Sequence, residues 1–389
     1  MHKRILFSAS IFHGLNDAAG VIVPMTFPLL YSQQVILSKY AHIGILSNLG
    51  LLVTLVFQVV IAQTSERFEF RTILLGSVAG IAAMLFLITT ASTFLALLGF
   101  YSLFRMFASF YHPVGIAWVS RTYPNQNIDK AMGIQGGSGD LGVFIAYLFT
   151  GFLLQKSQWT TPLAAWGIVS LVFGAISYGA VRKVSTRSQT FSPPRFEHWL
   201  KTLKMIKVYI PGIIFEGAGW AITVYYAPSL FNHKFHVPLG RTGLYLALWI
   251  GVGTLITYFF GALSRKAGRM TLTLLGCVCS SLALLLLGSA SGLNAAVPGI
   301  FLLGVFLFIL YPAFQSFVGN TVPPASQALA FSLVANIQVL SGAVVVLAAG
   351  FLADRFGLSS AFLTMGGLGL AVGSFYVVRA LRGRADGRA

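Results

Sequence analysis

The chain has 389 residues, of which 56% are hydrophobic and only 9% are charged, and its mean hydropathy is +0.81. These values exclude a soluble globular domain, in which about a quarter of the residues are charged. The formal net charge of +17 does not indicate a nucleic-acid partner, because the basic residues lie between apolar runs, where they orient membrane proteins. We therefore expect a chain embedded in the lipid bilayer, with no nucleic-acid partner.

The apolar runs predict twelve membrane-spanning helices, because about 20 helical residues cross a hydrocarbon core about 30 Å thick. If the amino terminus is cytoplasmic, twenty of the 26 basic residues fall on the cytoplasmic side. This bias predicts a multi-pass protein of the cell (inner) membrane with both termini in the cytoplasm. The predicted runs start near Ile5, Ala41, Thr72, Thr93, Ala131, Thr161, Val208, Arg241, Thr271, Asn294, Gln327 and Ser360.

A basic stretch after the sixth run divides the chain. It contains Ser192-Pro193-Pro194, and apolar and lysine residues then alternate from Trp199 to Lys207 as in an amphipathic surface helix. We predict a six-helix half over residues 1–181, a basic cytoplasmic linker over 182–207, and a second six-helix half over 208–389. The second half ends in a short basic cytoplasmic tail.

The two halves are predicted to be repeats that are offset by 199 positions. Pairs at this offset are Asp17 and Glu216 (216 − 17 = 199), Gly20 and Gly219, and Pro113 and Pro312. Two six-helix repeats predict a substrate site near the bilayer midplane, with transport by rocking of one half against the other.

Ionisable side chains lie deep inside several predicted spans. His13 and Asp17 share one helix face in the first span, and a carboxylate at the centre of a lone spanning helix costs about 3 kcal/mol or more. We therefore expect Asp17 to face a protein-lined cavity. Four further residues complete the set. Asp140 and Glu216 are deep acids, and Arg105 is a deep cation that shares one face of the fourth span with His112.

Several interpretations of this set stay open. Asp17 or Glu216 can carry a proton across the membrane. Arg105 can be a structural counter-ion to Asp140 or Asp17, or it can bind a phosphonate or carboxylate. We expect no resident metal, but His13, Asp17 and His112 form an alternative site for a divalent transition metal. Further polar groups expected near the cavity are Asn16, Gln135, Tyr311, Gln315, Asn336 and Gln338.

The chain resembles the major facilitator superfamily over its whole length. The loop after the second run, from Ala62 to Arg71, looks like a degraded copy of the Gly-x-x-x-Asp-Arg-x-Gly-Arg-Arg loop of that family, and residues 261–269 look like its repeat. The resemblance implies a cytoplasmic gate whose charges latch one conformation. In this chain the gate charges would be Glu66, Arg67, Arg71, Lys266 and Arg269.

Three stretches are similar to the fosmidomycin-resistance branch of that superfamily. They are His13-x-x-Asn16-Asp17, Tyr111-His112-Pro113 and Gln135-Gly136-Gly137. The resemblance implies a drug exporter that is driven by proton entry.

The expected function is therefore proton-coupled antiport of a small, anionic organic compound or drug by a monomer. No Gly-x-x-x-x-Gly-Lys-Ser/Thr loop is present and the loops are short, so we expect no enzyme activity, no ATP drive and no cofactor besides the proton gradient. Three alternatives stay open: a divalent-metal transporter, a proton-coupled metabolite symporter, and a membrane sensor that retains the fold without transporting.

Overall fold

A computed structural model describes residues 2–123, 128–184 and 196–385 of the chain. The side chain of Glu66, residues 185–195 of the predicted linker with their Ser-Pro-Pro sequence, and the last four residues lie outside this description. Within the described residues the fold is all helical. The helices are α1 (His2–Gln33), α2 (Tyr40–Thr64), α3 (Phe70–Ile88), α4 (Phe94–Ala108), α5 (Tyr111–Thr122), α6 (Ile128–Lys156), α7 (Thr160–Val181), α8 (Phe196–Ile206), α9 (Ile210–Ser229), α10 (Leu239–Ala267), α11 (Arg269–Ser289), α12 (Leu293–Thr321), α13 (Pro324–Phe356) and α14 (Ser359–Ala385).

The described helices match the predicted membrane spans. They form eleven segments that are long and apolar enough to cross a membrane, with α4 and α5 counted together as one segment. A twelfth span is present if α8 and α9, which meet at 90°, are counted together. The all-helical membrane fold is thus confirmed, and the amphipathic segment before the seventh span forms a separate short helix, α8.

The span formed by α4 and α5 is interrupted at Ser109 and Phe110. Pro113 follows in the first turn of α5, where its missing N–H and its ring disfavour a continuous helix through the preceding residues. The break places Tyr111 and His112 at the start of a new helix that packs against α1.

The contacts divide the chain into two compact units. The first contains α1 to α7 together with residues 236–247 at the start of α10, and the second contains α8, α9 and the remaining helices. In the first unit α1 packs against α5, α6 and α7, and in the second α9 packs against α13. The predicted boundaries at residues 181 and 207 stay a prediction.

Glycines bring α1 and α6 into close contact. A Cβ atom on Gly142 would lie 2.6 Å from the Cα atom of Gly14, whereas a Cβ atom on Gly133 of the same helix would meet nothing within 4 Å. Small residues of this kind let membrane helices approach closely.

We expect Gly142→Ala to destabilise the first unit by about 1–3 kcal/mol, because the added methyl group overlaps backbone atoms that cannot rotate away. The measurement is the apparent melting temperature of the purified protein in detergent. Gly133→Ala is the matched control. Equal melting temperatures for the two variants would contradict the close packing of α1 on α6.

Candidate functional site

Asp17 lies between two histidines in the first unit. Its Oδ2 atom is 2.9 Å from His13 Nε2, and its Oδ1 atom is 3.4 Å from His112 Nε2. His13 precedes Asp17 by one turn of α1, and His112 comes from the start of α5. The predicted grouping of these three side chains is therefore present in the structure.

The imidazole of His13 is held from its other side by Gln135 on α6. Its Nδ1 atom is 2.7 Å from the main-chain oxygen and 3.0 Å from the side-chain Nε2 of Gln135. A protonated Nδ1 donates to the carbonyl, and an unprotonated Nδ1 accepts from the amide. The ring of Tyr111 stacks on the imidazole at a centroid distance of 4.5 Å. His13 thus has a fixed ring plane.

The Tyr111 hydroxyl group fixes the orientation of the Gln135 amide. The hydroxyl donates its hydrogen to the main-chain oxygen of Ala9 at 2.8 Å. The amide atom of Gln135 that lies 2.8 Å from the same hydroxyl must then be the donor nitrogen. A continuous network consequently connects α1, α5 and α6 around His13.

Gly139 packs against one side of the cluster formed by His13, Asp17 and His112, and His112 is partly exposed on another side. A Cβ atom on Gly139 would lie 2.7 Å from Asp17 Oδ2 and 2.8 Å from His13 Nε2. Asn16, which is buried, donates from Nδ2 to Asp17 Oδ1 at 3.1 Å. The His112 side chain is 42% exposed, so this residue forms the accessible side of the cluster.

Arg105 lies on α4, close to the next turn of α1. Its Nε atom donates to Thr54 Oγ1 of α2 at 3.0 Å, and its Nη1 atom would be 3.8 Å from a Cβ atom on Gly20. The side chain is partly exposed. Asp140 of α6 interacts electrostatically with His13. Arg105 and Asp140 therefore both lie on helices that pack against α1.

Glu216 occupies α9 in the second unit, where it is buried. Among the described residues its polar contact is a hydrogen bond from the Nε2 atom of Gln338 on α13. The main-chain oxygen of Gln338 in turn accepts from Ser341 Oγ at 2.8 Å. Glu216 is thus paired with a neutral amide.

The contacts give the repeats a different register from the one predicted. His13 and Gln135 are separated by 122 residues, as are Glu216 and Gln338. Glu216 therefore corresponds in contacts to His13 (216 − 13 = 203), one helical turn away from the predicted match with Asp17.

A second pair of contacts has the same offset. Thr54 Oγ1 contacts the main-chain oxygen of Arg105, and Thr257 Oγ1 contacts that of Phe308, each over a separation of 51 residues. Phe308 thus takes the place of Arg105 in the second half, where it packs edge-on against Trp249 at 5.7 Å.

The predicted gate charges have varied surroundings. Arg71 donates from Nη1 to the main-chain oxygens of Val181, at 3.0 Å, and Arg182, and so binds the carboxyl-terminal end of α7. Arg67, Lys266 and Arg269 are exposed. Gly268, with φ = +79°, forms the single-residue connection between α10 and α11, a conformation that favours glycine. The gating role stays a prediction.

The other predicted polar groups are more accessible. Tyr311 is exposed, and Gln315 and Asn336 are partly exposed. The sequence did not predict that Thr54 is the partner of Arg105, or that Gly139 packs against the cluster of His13, Asp17 and His112. Neither residue carries a local sequence signal, because each is defined by a partner on another helix.

Among the described residues, the group with the composition and spacing of a metal site is His13, Asp17 and His112, whose candidate ligand atoms lie within 4.8 Å of one another.

Comparisons with known proteins agree with this fold. The sequence model of the Major Facilitator Superfamily matches residues 6–346. The chain is 21% identical over 374 residues to the "Uncharacterized MFS-type transporter YfnC" of Bacillus subtilis (strain 168), covering 93% of this chain and 89% of that protein.

Solved transporter structures are also similar. A bacterial homolog of the human lysosomal transporter Spinster, inward-facing and occupied, has a TM-score of 0.83 at 15% identity, covering 97% of this chain and 96% of the other. A mutant of the nucleoside transporter NupG has a TM-score of 0.78 at 12% identity, covering 96% of this chain and 99% of the other. At these identities the similarity concerns the fold alone.

Proposed function

Because the chain belongs to the major facilitator superfamily of secondary transporters, we propose that it exports a small anionic organic compound in exchange for protons. The family and the similar structures are transporters, so the protein is not an enzyme. We further propose that it works as a monomer in the inner membrane, with both termini in the cytoplasm and the proton gradient as its driving force.

One observation carries the coupling proposal: each half has an ionisable side chain on its first spanning helix, bonded to a glutamine 122 residues later. In repeat-built transporters, the groups that bind substrate and coupling ions lie at the interface of the repeats. Of the pair His13 and Glu216, we assign the proton to Glu216.

The reason is the neutral partner of Glu216. Protonating this carboxyl group needs no rearrangement of an ion pair, because a carboxylic acid still accepts the hydrogen bond from the Gln338 amide. Protonating Asp17 would instead weaken its contacts with two imidazoles. Glu216 is therefore the group that can gain and lose a proton with the least structural disturbance.

Arg105 is our candidate for the residue that binds the substrate anion. A planar guanidinium binds carboxylate and phosphonate oxygens with two parallel hydrogen bonds. The Nε atom of Arg105 is engaged by Thr54, which fixes the direction of the guanidinium plane. The three sequence stretches that resemble the fosmidomycin-resistance branch favour a phosphonate within this class.

The experiment is export of a phosphonate panel, including fosmidomycin, from cells that carry the wild type or an empty vector. We expect the wild type to lower intracellular accumulation of at least one phosphonate, and a protonophore to cancel this effect. Accumulation that is unchanged for every member of the panel would contradict the proposed substrate class. Export that survives the protonophore would contradict proton coupling.

A further inference from the structure

We infer that His13, Asp17 and His112 bind one divalent transition-metal ion of the zinc, cobalt or nickel type. The inference goes beyond the proposed export function, which depends on Glu216 and Arg105. Two imidazoles and one carboxylate are a ligand set that such ions favour over alkaline-earth ions, which prefer oxygen ligands.

The first argument is the direction of the His13 imidazole. Its Nε2 atom is buried and faces Asp17 Oδ2 at 2.9 Å, in an ion-pair contact that lacks the geometry of a hydrogen bond. The two atoms are thus close together without the alignment of an N–H···O bond. A cation held beside both atoms would be coordinated by the imidazole nitrogen and the carboxylate oxygen together.

The second argument is the spacing of the ligand atoms. Ligands about 2.0–2.1 Å from a tetrahedral zinc ion lie about 3.3 Å from one another. In the structure, Asp17 Oδ2 lies 2.9 Å from His13 Nε2, and Asp17 Oδ1 lies 3.4 Å from His112 Nε2. All three side chains therefore reach a shared ion through small movements.

The third argument is the set of groups around the ligands. When a histidine binds a metal, its other ring nitrogen usually donates to a carbonyl or carboxylate. His13 Nδ1 lies 2.7 Å from the main-chain oxygen of Gln135, and Asn16 donates to Asp17 Oδ1. These contacts orient two of the three ligands without any metal.

The surroundings also allow an ion to enter and stay. Asp140 adds a second acid that interacts with His13, and the partly exposed His112 gives access from one side. Three protein ligands leave a fourth position for water or another small ligand. An ion bound here would connect α1 to α5.

The test is cobalt binding to the purified full-length protein, followed by the visible absorption of Co²⁺ and by calorimetry with Zn²⁺. We expect one saturable site per chain, and at least about 10-fold weaker binding for His112→Ala, which removes a ligand. Gly139→Ala should weaken binding similarly, because its methyl group would occupy the space beside the ligand atoms.

Three controls are available. Gly133→Ala adds a methyl group to open space on the same helix, and His198→Ala removes an exposed histidine on α8. Both should bind as the wild type does, and Mg²⁺ should not compete. Size-exclusion profiles and melting temperatures establish that each variant is folded.

Absence of saturable Co²⁺ or Zn²⁺ binding by the wild type would overturn the inference. Binding that survives both His112→Ala and Gly139→Ala in folded protein would overturn it as well, since the ion would then lie elsewhere. Because the readout is binding of the metal alone, the result does not depend on whether the protein exports a phosphonate.

Discussion

Glu216→Gln is expected to abolish transport driven by a pH gradient while leaving the protein folded. Glutamine has the same size, and its side-chain oxygen can still accept the hydrogen bond from the Gln338 amide. The variant lacks only the group that gains and loses a proton. In proteoliposomes, gradient-driven substrate flux should fall to the level of protein-free liposomes.

Substrate counterflow without a gradient separates coupling from folding in this variant. We expect Glu216→Gln to retain exchange of labelled for unlabelled substrate, because the substrate-binding groups of the first half are unchanged. Glu197→Gln, which alters an exposed acid on α8, is the matched control. Gradient-driven flux at the wild-type level in Glu216→Gln would assign the proton to another group.

Arg105→Ala is expected to raise the half-saturation concentration for an anionic substrate by about 10- to 150-fold. This range corresponds to the loss of about 1.5–3 kcal/mol, the contribution of a hydrogen bond to a charged group. Arg105→Lys should fall between the wild type and alanine, because it keeps the charge but loses the planar, two-point geometry. The measurement is concentration-dependent counterflow in proteoliposomes.

Two comparisons distinguish anion binding from a structural role for Arg105. Arg121→Ala removes an exposed arginine that packs over the ring of Phe70 on α3, and it should leave half-saturation unchanged. A neutral ester of the substrate should bind wild type and Arg105→Ala equally. Equal weakening for the ester and the anion would show that Arg105 supports the fold instead.

The sequence was sufficient to predict the fold and the proximity of His13 and Asp17. Helix periodicity places His13 and Asp17 on one face, and burial in a membrane makes such an acid seek polar partners. The contacts with His112 and Gln135 join separate helices, and His13 and Gln135 are 122 positions apart in the chain. Such contacts depend on helix packing, which periodicity alone does not determine.

The repeat register shows where sequence comparison fails. Matching similar side chains paired Asp17 with Glu216, whereas contacts pair His13 with Glu216. The contacts of Thr54 with Arg105 and of Thr257 with Phe308 have the same offset of 203 (257 − 54 = 203). A match by residue type misses this offset at His13 and Glu216, because these two equivalent residues differ in chemistry.

Proton antiport is the central claim, and the internal pH of proteoliposomes tests it most directly. A pH-sensitive dye is trapped inside liposomes containing the wild-type protein, and a transported phosphonate is added outside. Antiport predicts that the interior becomes alkaline as substrate enters and protons leave. Acidification would identify a symporter, and substrate entry without any pH change would contradict proton coupling altogether.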